Sequence, residues 1–180
     1  MGVHVALLRG INLAGTNRVP MKSLAAMFVD AGCADVRTYI QSGNVVFRAG
    51  DAVARRVPSA IAAAIEKQLG FRVPLVMRTA TEMADVAGSN PFLAAGLDAG
   101  ALHVSFLGEA PAPAKVAALD PNRSPGDKFV VRGREIYLHC PGGVGKTKLT
   151  NQYFESRLGT TSTARNWRTV LALLEMAARA

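Results

Sequence analysis

At 180 residues the chain is long enough to bury roughly 70% of its unfolded surface, and so to hold a core without disulfide or metal staples. Cys33 and Cys140 lie far apart and match no C-x-x-C spacing, which argues against a disulfide scaffold and for a reduced, cytoplasmic protein. A formal net charge of +8 and a pI near 10.1 point to a ligand or partner that is negatively charged.

The N-terminal Met1-Gly2-Val3-His4 has no charged n-region before an apolar run that ends at Arg9, so neither a signal peptide nor a membrane span is expected. Apolar runs rich in β-branched residues predict strands at His4 to Ile11, Val36 to Ile40, Asn44 to Arg48 and Val73 to Arg78. Between the first two, Pro20 followed by Leu24, Met27, Phe28 and Ala31 has the 3.6-residue period of a helix, and Gly32 stops it. An alanine-rich helix from Ala52 to Leu69 precedes the fourth strand, with Pro58 starting or kinking its main part and Gly70 ending it. Thr79 and Glu82 form a capping box for a linking helix.

After Asn90-Pro91 the same order resumes. Strand Leu102 to Leu107 leads to a short helix near Ala114 to Leu119, then to a hairpin of Lys128 to Arg132 and Glu135 to Cys140. Helix Lys148 to Leu158, a strand near Ser162 to Arg165 and a final helix Trp167 to Ala178 complete the chain. The first strands of the two halves open alike, His4-Val5-Ala6-Leu7-Leu8 and His103-Val104-Ser105-Phe106-Leu107. The expected fold is therefore α+β, two ferredoxin-like β-α-β-β-α-β halves at 1–79 and 101–180, joined by a linking helix and turn at 80–100.

That topology, with strand order 4-1-3-2, gathers loops at the sheet rims. The first half brings Arg9, Asn12, Gln41, Ser42 and Asn44 to one rim. In the second half, the opposite rim collects Pro141 to Lys148 with Arg165, Asn166 and Trp167. No Asp or Glu occurs before Asp30, between Val36 and Gly50, or from Ile136 to Phe154, so the cations there are locally uncompensated.

The segments RGINLAG, TYIQSGNVVF, KLTN and TARNW resemble the recurrent motifs of a bacterial domain-of-unknown-function family, number 1697. The resemblance implies a two-subdomain fold of ferredoxin-like halves and brings no established activity. Val144 and Thr147 depart from it, standing where many members carry an aromatic residue and a serine.

Within the second rim, Gly142-Gly143-Val144-Gly145-Lys146-Thr147 invites comparison with a phosphate-binding loop. The Walker pattern, however, requires Gly where Cys140 stands, and too little chain follows to supply the parallel strands and Mg²⁺-binding Asp of phosphoryl transfer, so NTP hydrolysis is not expected. Cations at helix starts oppose the positive end of the helix dipole, a mismatch that an anion would relieve. Arg18 and Lys22 flank Pro20, Lys146 and Lys148 flank Thr147, and Arg165 and Arg168 flank Asn166.

The leading anion site is thus Lys146, Lys148, Arg165, Asn166 and Arg168, for nucleic acid or a phosphorylated small molecule; the simplest reading of Asn166 is a helix N-cap with Trp167 packing on Leu171, and stacking of Trp167 on a base or sugar is the alternative. The second rim candidate is Arg9, Asn12, Gln41, Ser42 and Asn44, where an enzyme acting on a small anionic metabolite is the alternative; a homo-oligomeric regulator with paired edge strands is a third. His4, His103 and His139 have no metal-ligand spacing, and no cofactor or metal is expected.

Overall fold

The computed structural model describes residues 1–180. Eight strands form two antiparallel four-stranded sheets. The first has β1 (Gly2–Leu8), β2 (Ala34–Tyr39), β3 (Asn44–Ala49) and β4 (Leu75–Thr79), in the order β2-β3-β1-β4. The second has β5 (Leu102–Leu107), β6 (Lys128–Arg132), β7 (Glu135–His139) and β8 (Ser162–Asn166), in the order β6-β7-β5-β8. Each sheet has the predicted ferredoxin-like strand order. The helices are α1 (Met21–Asp30), α2 (Asp51–Leu69), α3 (Ala80–Gly88), α4 (Pro91–Ala94), α5 (Pro113–Ala117), α6 (Asn151–Leu158) and α7 (Trp167–Ala178).

The chain forms two compact units, Met1–Ala84 with Ala172–Ala180, and Asp85–Leu171. The boundaries between these units fall inside α3 and inside α7.

In the first unit, α1 turns Leu24, Met27 and Phe28 inward and α2 turns Val57, Ile61 and Ile65, spacings that place each set on one helical face. They bury Ala6, Leu8, Val45 and Phe47, alternate residues of β1 and β3, and Phe28 lies 5.2 Å from Phe47 between ring centroids. In the second unit, Phe154 and Leu158 of α6 cover Leu107, Ile136 and Leu138.

The repeat extends beyond the opening strands. Val5 pairs with Arg78 and His4 with Thr79, just as Val104 pairs with Arg165 and His103 with Asn166. Arg78 and Arg165 are 1% and 7% exposed, and each donates from Nη1 to the carbonyl of the residue before it, Met77 at 2.7 Å and Ala164 at 2.8 Å. Thr79 and Asn166 each cap the helix that follows, since Thr79 Oγ1 accepts from Glu82 N and Asn166 Oδ1 from Thr169 N.

Several boundaries depart from the sequence reading: β1 ends at Leu8 rather than Ile11, β4 starts at Leu75 rather than Val73, and two others have a local physical reason. Ile40 lies outside β2, with φ +47 and half its surface exposed. Helix α6 starts at Asn151, not Lys148. Its N-cap is Thr150, whose Oγ1 accepts from Tyr153 N, while Lys148 N donates to Ser124 Oγ and Leu149 N to Thr147 Oγ1. Side chains satisfy these backbone donors before a helix can begin.

Candidate functional site

β1 delivers the chain to loop 9–20 and β2 delivers it to turn 40–43, and the two meet as the topology requires. Leu8 N donates to Gly43 O at 2.8 Å, and Asn12 Nδ2 donates to Gln41 O at 2.7 Å. The same amide clamps the far side of its own loop: Nδ2 also donates to Val19 O, and Oδ1 accepts from Val19 N. Asn17 Nδ2 donates to Gly10 O, and Asn12 N to Asn17 O. Gly10, Asn12, Ala14, Gly15 and Asn17 all have positive φ, so the loop coils tightly on itself.

Gly43 is fixed for two reasons. Its φ of +76 lies in the left-handed region, and a Cβ there would stand 2.7 Å from Leu8 Cβ and 2.8 Å from Ile11 Cδ1. Asn44 is fully buried, donating to Tyr39 O and Ser42 Oγ. Asn12, Ser42 and Asn44 therefore hold the rim together, while Arg18 and Gln41 are exposed at it.

These clamps frame a recess of about 560 Å³, lined by Asn12, Gly15, Arg18, Val19, Pro20 and Gln41 and bounded by Leu69 at the end of α2. Beside it, α1 starts at Pro20, which supplies no side-chain cap, and its first turn contains no acidic residue but does contain exposed Lys22. No wall of the recess is a carboxylate, a histidine or a cysteine, and Arg18 is its one charged wall. Arg18, Gly15 and Leu69 join the recess without having been singled out as rim residues. The charge conflict at Pro20 was the available signal for Arg18; no sequence signal marks Leu69.

The second-half rim keeps fewer of its expected groups. Lys146, Lys148 and Arg168 are exposed. Arg165 is not presented to solvent: it is 7% exposed, donates from Nη1 to Thr163 Oγ1 at 2.7 Å, and burial pushes its pKa down to about 10, which still leaves it charged at neutral pH. Asn166 spends its carbonyl oxygen on the α7 cap, and Trp167 is 3% exposed, so its ring offers no stacking surface.

The glycine-rich loop differs from a phosphate cradle in its backbone. Gly143 N donates to Cys140 O and Lys146 N to Gly143 O, closing successive turns, and α6 begins only after Thr150. Lys146 and Lys148 thus stand on an exposed loop ahead of the helix, and do not flank its first turn as the sequence suggested. Burial raises the pKa of the Cys140 thiol, with Asp127 adding to the effect.

His4 stacks on Phe47, and His139 lies 6.0 Å from Phe92 between ring centroids. No three His, Cys, Asp or Glu side chains come together as a metal-holding group. No helix is long and apolar enough to cross a membrane.

Fold and rims together define a two-unit α+β protein built from a duplicated ferredoxin-like half. The model of the DUF1697 family, described as proteins of unknown function, matches residues 1–137, and the chain belongs to that family. The match takes in the RGINLAG and TYIQSGNVVF segments and stops before KLTN and TARNW. Among solved structures, the chain is similar to the conserved bacterial protein SP0830 from Streptococcus pneumoniae, with a TM-score of 0.77 and 21% identity over 99% of each chain. At that identity the likeness is one of fold. No protein with curated function matches the chain in sequence.

Proposed function

We propose that the chain binds a small anionic, phosphate-bearing ligand at the first-half rim and does not hydrolyse it. The observation that carries this reading is the recess bearing Arg18 and Gln41 on a frame that Asn12 has already locked. Its volume falls in the range of small-molecule sites, about 300–1,000 Å³, and favours a nucleotide or phosphorylated metabolite over a polymer. A cation about 4 Å from a phosphate gains on the order of 4 kcal/mol at an effective dielectric of about 20, before desolvation. That exceeds the roughly 0.3–1 kcal/mol cost of a cation at a helix start, so a bound anion would offset the placement of Arg18 and Lys22, which the dipole alone disfavours. An enzyme using Arg9, Gln41 and the same recess to orient a small anionic substrate is the extension of this reading.

Nucleic acid on the second rim is supported by exposed Lys146, Lys148 and Arg168, without Arg165. Calorimetric titration with pyrophosphate, ATP and a short single-stranded RNA at several salt concentrations separates the two. Expected is saturable binding of pyrophosphate or ATP with shallow salt dependence, weakened about tenfold by Arg18→Glu and unaffected by Lys148→Glu. RNA binding with a log–log salt slope near −2, from about −0.7 for each of these cations, and sensitivity to Lys148→Glu would assign the function to the second rim instead.

A further inference from the structure

β6 is an outer strand whose only sheet neighbour is β7. Its register runs without interruption through five pairs, from Lys128 with His139 to Arg132 with Glu135. Alternate residues of its other edge therefore turn N–H and C=O groups away from the sheet, a row ready to accept another strand. The corresponding outer strand of the first unit, β2, is blunted by a register shift between Ala34 and Arg37 and by Asp35 at φ +50. β6 has no such irregularity.

Along this edge runs a groove of about 570 Å³, with walls that include Phe92, Val116, Leu119, Pro121, Phe129 and Val130. Phe129 lies on the face of its sheet that packs on the second core, with Val116, whereas Val130 pairs with Tyr137 and lies on the other face, where Phe92 meets His139. Because residues of both faces line it, the groove wraps the strand edge. An added strand would send successive side chains alternately to the Phe129 side and the Val130 side.

We propose that β6 captures an extended segment of a partner protein as an added antiparallel strand, with apolar side chains in the groove and carboxylates at both ends. Charge selects the occupant. Both ends of β6 are basic and exposed, Lys128 at one and Arg132 at the other, the Arg132 guanidinium donating from Nη1 to Ser89 O and keeping its other nitrogens for a carboxylate. Antiparallel pairing of two copies centred on Val130 would set Lys128 against Arg132 twice, a like-charge opposition that disfavours self-pairing. An acidic-ended peptide converts both contacts into attractions, while backbone bonding supplies affinity and the groove supplies side-chain selectivity.

The test uses the full chain and a fluorescein-labelled pentapeptide, Asp-Val-Leu-Val-Asp, whose aspartates fall opposite Arg132 and Lys128 when its leucine faces Val130, read by anisotropy and by hydrogen exchange. Expected are saturable binding and slowed exchange of amides in Lys128–Arg132. The outward-facing backbone groups of β6 are those of Phe129 and Val131, so a peptide with proline in place of the first valine, opposite Val131, should bind about tenfold more weakly, having lost a strand donor. Lys128→Glu should weaken the acidic peptide about fivefold and improve binding of a peptide with lysine at both ends. Absence of binding at millimolar peptide, or equal binding of the proline peptide, would overturn the proposal. So would concentration-dependent dimerisation that protects the same amides without peptide.

Discussion

Gly43 is the residue on which the first rim turns most directly, because positive φ and a contact too close for a Cβ coincide there. Gly43→Ala should cost about 2 kcal/mol or more, seen as a lowered thermal midpoint, from left-handed strain plus displacement of Leu8 and Ile11. The turn chemistry of Gly43 was legible in the Ser-Gly-Asn sequence, but the packing against Leu8 was not, since only the folded sheet brings them together. Arg165 teaches the opposite lesson. Its neighbours in sequence suggested an exposed anion ligand, whereas the repeat aligns it with Arg78, and both are buried in the fourth strand of their halves. Arg165→Glu should therefore cost at least about 3 kcal/mol or prevent folding, while Arg168→Glu, at an exposed position, should stay within about 0.5 kcal/mol. Equal effects in chemical denaturation would contradict these placements.

Among the elements, strands with alternating or continuous apolar runs were readable to within a few residues, and the hairpin strand Lys128–Arg132 was read at its observed limits. Helix starts were harder. Lys148 looked like the opening of α6, but Ser124, distant in sequence, takes its N–H, and a tertiary acceptor of that kind leaves no local signal. Thr150→Ala should remove the N-cap that starts α6 and destabilise the protein by about 1 kcal/mol, with Thr150→Ser recovering most of the loss. Thr147 already caps Leu149 N and Lys146 N is held in a turn, so the glycine-rich segment has the backbone of a closed loop. Mg²⁺-dependent ATP or GTP turnover abolished by Lys146→Ala would show otherwise.

For the whole molecule, duplication was the informative signal, because it predicted two sheets of one topology and, from them, which loops meet. The recess itself was not readable, since it depends on five left-handed residues in loop 9–20 and on Leu69 arriving from the end of α2. The second half adds a pH dependence. Burial holds the His103 pKa below its ordinary value of 6.5, so the unfolded chain binds a proton at mildly acid pH that the folded chain does not. Stability attributable to this site is present above the unfolded value of about 6.5 and falls as pH drops through it. His103→Gln should lose less stability than the parent between pH 7.5 and 5.5 in urea titrations; an equal loss would remove His103 as the cause.

The most direct test of the anion-binding rim is a ¹⁵N-resolved NMR titration of the full chain with pyrophosphate. Expected are saturable shifts at the backbone amides of Gly15, Arg18, Lys22 and Gln41 and at the Asn12 side-chain amide, all absent in Arg18→Glu. Shifts confined to Gly142 through Lys148 and Arg168, or none at any pyrophosphate concentration in low salt, would contradict it.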